Sequence, residues 1–167
     1  MDTLSHGLYG GALFGRKSKK KFFTAFFFGI MPDIFSFGPY FVLMLLGLYP
    51  MEDHSHGQPS MASIPDFVHV MYQVTHSLVI YAVVIAILVL LGRRAWVWLT
   101  LGWPLHILVD MPTHTQEFFS TPFLWPLSDF SFNGISWSNP WIFIPNVIVL
   151  AGIYGHWYLE RRRAKKN

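Results

Sequence analysis

Five polar residues that a hydrocarbon environment rejects, His6, Asp33, His76, His106 and Asp110, lie inside or beside the apolar stretches of this chain. An ionisable side chain at membrane depth is costly unless it is paired, coordinated or hydrated, so each is a functional candidate by default. Imidazole plus carboxylate is a donor set that zinc, manganese or iron accepts. The chemistry these residue types point to is therefore metal binding. His106 and Asp110 form the tightest pair: at i, i+4 they share one helix face about 6 Å apart. In a soluble protein that spacing is more often a helix-surface hydrogen bond, but inside a membrane no water satisfies the carboxylate. His114 continues the series by four, beyond a proline at 112 that argues against a continuous helix.

The elements that must position these groups are membrane spans. The 167 residues are 53% hydrophobic and 13% charged, with a mean hydropathy of +0.39. A soluble domain carries about 25% charged residues. Composition therefore predicts an all-α, polytopic membrane helical bundle, a single domain over 1–167, with the lipid bilayer as its partner. The net charge of +3 is no nucleic-acid footprint, because Lys and Arg occur only as RKSKKK (16–21), Arg93-Arg94 and RRRAKK (161–166). Cysteine is absent, so any metal is held by nitrogen and oxygen donors. Zinc is the expected ion, with manganese and iron as alternatives.

Four stretches without Lys or Arg are long enough to matter: 22–48, 67–92, 95–139 and 140–159. About four spans follow. Pro32, Gly38 and Pro39 predict that the first breaks into a helix over 22–31, a loop, and a second segment over 40–48. The second is expected to start near Asp66 as N-cap, and the third to run over 95–110 and stop at Pro112. LSHGLYGGALFG (4–15) is too short to span and reads as a short, partly inserted helix. The positive-inside rule puts all three basic clusters and the C-terminus in the cytoplasm of a multi-pass cell-membrane protein, leaving loops 49–66 and 111–139 outside. The tryptophans fall mostly near span ends, as an aromatic belt would.

At 1.5 Å rise per residue, His6 lies about 15 Å from its nearest basic edge, Asp33 and His106 about 18 Å, and His76 about 25 Å. Four separate segments thus deliver these residues, with Asp110 one turn beyond His106, to one slab between mid-membrane and the outer face. His156, about 8 Å from Arg161, falls in another layer and is excluded. The loop EDHSHG (52–57) reads as solvated, His69 as interfacial, and Asn146 as a helix–helix hydrogen-bonding residue.

The pieces SHGLYGG (5–11), MPDIFSF (31–37), VTHSLVI (74–80) and LHILVDMPTH…TPFLWPLSDF (105–130) resemble, in order and over most of the chain, the family of predicted membrane-bound metal-dependent hydrolases. The resemblance implies a divalent-metal site built from His6, Asp33, His76, His106 and Asp110. The chain departs from many members in having Ile34-Phe35-Ser36 after Asp33 and Met71-Tyr72 upstream of the Thr-His pair.

The leading expectation is a hydrolase acting at the outer face. One or two ions, with Asp110 or Asp33 as bridge, would lower the pKa of a water and polarise an ester or phosphoester oxygen, a lipid-like substrate fitting the location. Asp129, in the PLSDF turn, is the candidate catalytic residue, either as general base or as the group that orients the metal-bound water. The alternative is a metal transporter or metal-binding sensor without catalysis; third comes a scaffold whose buried polar groups pair with one another.

Overall fold

The computed structural model describes residues 1–50 and 61–164, so the EDHSHG loop lies outside the described residues. These residues form α1 (Thr3–Phe14), α2 (Lys19–Leu45), a 3-10 turn (Met61–Ser63), α3 (Asp66–Thr75), α4 (Leu78–Leu90), α5 (Arg94–Thr100), α6 (Gly102–Thr113) and α7 (Pro140–Ala164). The fold is all-helical: the described residues include no strand beyond one isolated bridge between Thr115 and Phe118.

Two helices, α2 with 27 residues and α7 with 25, are long and apolar enough to cross a membrane. A third span results if α3 and α4, bent 57° at their junction, are counted as one. Length and composition thus identify two or three of the four spans expected; the 95–110 stretch divides at Leu101 into α5 of 7 residues and α6 of 12, each too short to be counted. The outward faces of α2, α4 and α7 carry exposed large apolar side chains such as Phe41, Leu90 and Ile148.

Three local expectations are corrected. First, α2 does not break: Pro32 and Pro39 lie inside one continuous helix. An interior proline costs about 3 kcal/mol, whereas a loop in apolar surroundings would strand several backbone groups at several kcal/mol each. The Ser36 hydroxyl donates to the Pro32 carbonyl within the same helix. Second, the 67–92 stretch is bent at His76–Ser77, and Pro65 rather than Asp66 holds the cap position of α3. Ser77 caps α4 by accepting from the Val79 and Ile80 amides, both at 3.1 Å. Its hydroxyl also donates to the Trp125 carbonyl, and the Leu78 amide donates to Phe123 O at 2.9 Å. The segment after α6 thus pins the bend. Third, α6 runs through Pro112 to Thr113. The amides of Ile135, Trp137 and Gly134 cover the carbonyls of Pro112, Thr113 and His114 at 2.8–3.0 Å, supplying partners that a helix C-terminus otherwise lacks. Ser77→Ala removes both the cap and the tie to Trp125; it should cost about 1–2 kcal/mol, read as a lowered midpoint of thermal unfolding in detergent.

The glycine-rich α1 is explained by packing. A Cβ on Gly10 would stand 2.6 Å from Ala25 O, one on Gly29 2.4 Å from His6 O, and one on Gly102 2.7 Å from Ala25 O. Helices α1, α2 and α6 therefore meet backbone to backbone, the close approach that small residues permit in membranes. Helix α7 is tied on by hydrogen bonds. Asn146 accepts from Tyr9 Oη and donates to Ser5 Oγ, each at 2.9 Å, and Tyr154 Oη donates to Leu8 O at 2.9 Å. Asn146 has the helix–helix role its sequence position suggested.

Candidate metal centre

Each glycine of the α1–α2–α6 junction sits one helical turn, or close to it, from a candidate donor: Gly10 from His6, Gly29 from Asp33, Gly102 from His106. Backbone contact at the glycines therefore brings those side chains together. The bend between α3 and α4 adds His76, whose ring is fully buried against Tyr72 with centroids 3.7 Å apart.

Asp33, His76, His106 and Asp110 each offer one donor atom within 4.8 Å of all the others, and together they could hold a metal ion. The His76 and His106 Nε2 atoms are 3.1 Å apart, and Asp33 Oδ1 lies 3.5 Å from both. Asp110 Oδ2 lies 3.0 Å from His106 Nε2 and 3.7 Å from His76 Nε2. Four donors placed tetrahedrally at a zinc–nitrogen distance near 2.0–2.1 Å stand about 3.3 Å apart, and the five separations above scatter around that value, from 3.0 to 3.7 Å.

The hydrogen bonds around the rings say which atoms face inward. A carbonyl oxygen only accepts, so the ring nitrogen facing it carries the proton. His106 Nδ1 donates to Gly29 O at 2.7 Å and His76 Nδ1 to Tyr72 O at 3.1 Å. In the neutral rings both Nε2 atoms are then lone pairs, turned towards each other and towards carboxylate oxygens. Backbone carbonyls fix the tautomer of metal-ligating histidines in this way. Asp110 Oδ2 is fully buried without a hydrogen-bond partner: His106 Nε2 is near enough but offers no aligned proton. A buried carboxylate oxygen without a partner is costly, and lone pairs converging on it call for a cation. The residues present fit a divalent ion.

His6 and His114 meet the other oxygen of the same carboxylate: Asp110 Oδ1 is 2.8 Å from His6 Nε2 and 3.5 Å from His114 Nε2. The His6 ring stacks on His106 at 3.6 Å. His114 takes its expected place in the series because α6 persists past Pro112 to Thr113. All six histidine and aspartate side chains singled out as ligand candidates are thus assembled. Asp129 is not among them. It is exposed, and it borders a cavity of about 190 Å³ shared with His69, Tyr72, Gln116 and Ser131. His156 is likewise outside the set, exposed and 3.2 Å from Glu160.

Sequence reasoning missed the supporting residues. Thr3 Oγ1 donates to Asp33 Oδ2 at 2.6 Å. Phe119, at φ 49°, turns its carbonyl to accept from both Tyr72 Oη at 2.8 Å and His114 Nδ1 at 2.9 Å. Tyr72 and Gly29 were discoverable, each lying four residues before a candidate ligand on its helix; Phe119 left no such trace.

A search of curated proteins and a search of solved structures find no match. A family model described as YdjM inner membrane protein matches residues 1–166, and the chain belongs to that family.

Proposed function

We propose that this inner membrane protein is a metal-dependent hydrolase acting on an ester or phosphoester, lipid-like in the simplest case, at the outer face of the membrane. The observation that carries the reading is the unpartnered Asp110 Oδ2 facing two imidazole lone pairs. His76, His106, Asp33 and Asp110 would hold one divalent cation, zinc in preference to manganese or iron. Such an ion supplies Lewis acidity towards a water and towards the substrate's ester oxygen. Gly29 O and Tyr72 O hold the two rings in the ligating tautomer, and Thr3 holds Asp33 by its second oxygen.

The topology that goes with this reading has four crossings, made by α2, α3–α4, α5–α6 and α7. Their basic ends, RKSKKK, Arg93-Arg94 and the C-terminal run, face the cytoplasm. In that frame Gly10, Gly29 and Gly102 all lie on the cytoplasmic side of the donors. Their backbone-tight packing seals the centre from below, while the side chains of Asp33 and His114, each 13% exposed, leave it open on the other side. A one-sided opening favours catalysis at the outer face over a transporter, which needs access from both sides. A sensor using the same ligands without turnover is the remaining alternative.

Asp129 is proposed as the base. It shares a cavity wall with Tyr72, whose ring covers His76. The test is hydrolysis of aryl ester and phosphoester substrates by detergent-purified protein, before and after chelation and metal return. Turnover lost with the metal and restored with it is expected; metal binding without turnover on any substrate would leave the sensor. Asp129→Asn should slow turnover by about 100-fold or more with metal content unchanged, and unaltered rates would remove Asp129 from the mechanism.

A further inference from the structure

We infer that the centre holds a second cation, on the far side of the Asp110 carboxylate, with Asp110 bridging the two ions and His6 and His114 as the added ligands. The inference rests on the metal-binding reading above and extends it from one ion to two.

The Asp110 carboxylate has two faces, each with a pair of imidazoles. Oδ2 looks towards His76 and His106, the pair that Asp33 completes. Oδ1 looks towards His6 at 2.8 Å and His114 at 3.5 Å. His114 is prepared as His76 and His106 are: its Nδ1 donates to a backbone carbonyl, that of Phe119 at 2.9 Å, which leaves Nε2 as a lone pair facing the carboxylate. That carbonyl is turned inward by a backbone at φ 49°, a conformation a phenylalanine rarely adopts, and Tyr72 Oη holds it there. A lone pair aimed at a carboxylate oxygen is repulsive unless positive charge stands between them.

Positive charge does stand there. The Met1 amino group touches Asp110 Oδ1 and lies 3.1 Å from Thr113 Oγ1 and 3.2 Å from His114 Nε2. The place is thus polar, almost fully buried and already shaped around a cation. A metal ion would take it with the Met1 amine displaced or retained as a further nitrogen donor. The outcome is a carboxylate-bridged pair with unequal donor sets: His76, His106 and Asp33 on one side, His6 and His114 on the other. Paired sites of this kind clamp both the attacking and the leaving oxygen in hydrolytic displacements, so a phosphoester, which presents several oxygens, is the substrate class that suits two ions.

The experiment is a metal count and a spectrum on the full chain in detergent, purified without chelator and equilibrated with Zn²⁺ or Mn²⁺. Two equivalents of zinc in the wild type, falling to one in His114→Ala and in the milder His114→Gln, together with a spin-coupled Mn²⁺ resonance in the wild type that becomes an isolated six-line spectrum in the variants, are expected. One equivalent in wild type and variants alike would overturn the second site and leave the one-ion reading standing. Two equivalents that persist in both variants, or two uncoupled Mn²⁺ signals in the wild type, would also overturn it. No metal in the wild type would overturn both readings. The wild-type spectrum decides the bridge even if the variants fail to fold.

Discussion

Purified His106→Ala protein is expected to contain almost no metal under conditions where the wild type retains it. His106 is central in three ways. Its Nε2 lies 3.0 Å from the unpartnered Asp110 oxygen, its Nδ1 ties α6 to Gly29 O on α2, and its ring stacks on His6. Loss of an outer partner of a metal ligand already costs 10- to 100-fold in affinity; loss of the ligand itself should exceed about 100-fold. The stability readout has a definite sign. An ion that binds only the folded state stabilises it by about 2.7 kcal/mol at a free concentration 100 times its dissociation constant. Added zinc should therefore raise the thermal midpoint of the wild type and leave that of His106→Ala unmoved. Without metal the variant should also be weaker, because the buried Gly29 carbonyl loses its donor, at about 1–3 kcal/mol. His156→Ala is the control, since that side chain is exposed and pairs only with Glu160; lost metal there would contradict the placement of the site. Equal metal in wild type and His106→Ala would remove the metal centre altogether.

Gly29→Ala is expected to damage the centre as severely without touching a ligand. The added Cβ would meet His6 O at 2.4 Å and Gly7 Cα at 3.1 Å. Those are backbone atoms, which do not swing aside as the end of a side chain does. Overpacking in a core costs about 1–3 kcal/mol when side chains can adjust, so about 3 kcal/mol or more is expected here. The displacement would carry His6 away from Asp110 and loosen the carbonyl that orients His106. Metal affinity should fall along with the thermal midpoint. Gly152→Ala on α7 supplies the contrast: its Cβ would meet nothing within 4 Å, and alanine stabilises a helix interior by about 0.5–1 kcal/mol over glycine. The pair of variants, measured by thermal unfolding and metal content, separates a packing requirement from general intolerance of alanine. A harmless Gly29→Ala would mean that α1 and α2 do not pack as closely as described.

Several features of this molecule were legible in its residues taken one at a time. The cost of a charge in hydrocarbon is a local property, so His6, Asp33, His76, His106 and Asp110 stood out by type and depth alone. The helical class followed from composition, since a chain in lipid must satisfy its backbone internally. His156 was set aside by its position near Arg161, and its side chain is exposed and paired with Glu160 rather than among the donors. Misjudged features all turn on what a neighbour supplies. Pro32 and Pro39 argued for a break, but the cost of opening backbone in apolar surroundings exceeds that of a proline within the helix. Pro112 argued against a helix continuous as far as His114, but residues 134–137 return along α6 and satisfy its terminal carbonyls. The 67–92 stretch looked uniform, yet Ser77 and the segment around Trp125 impose a bend that turns His76 into the centre.

By itself, then, the sequence determined a helical membrane protein, the ionisable residues set among its apolar stretches, and the donor chemistry available to them. Burial cost, hydropathy and charge asymmetry are sums over single residues and survive without a fold. Only the tertiary structure decided that the two oxygens of Asp110 face different pairs of histidines, and that Asp129 lines a cavity with Tyr72 rather than joining the donors. Those outcomes depend on how closely three helices approach at Gly10, Gly29 and Gly102, and on the angle between α3 and α4. Both are set by contacts between residues far apart in the chain, which no local pattern encodes.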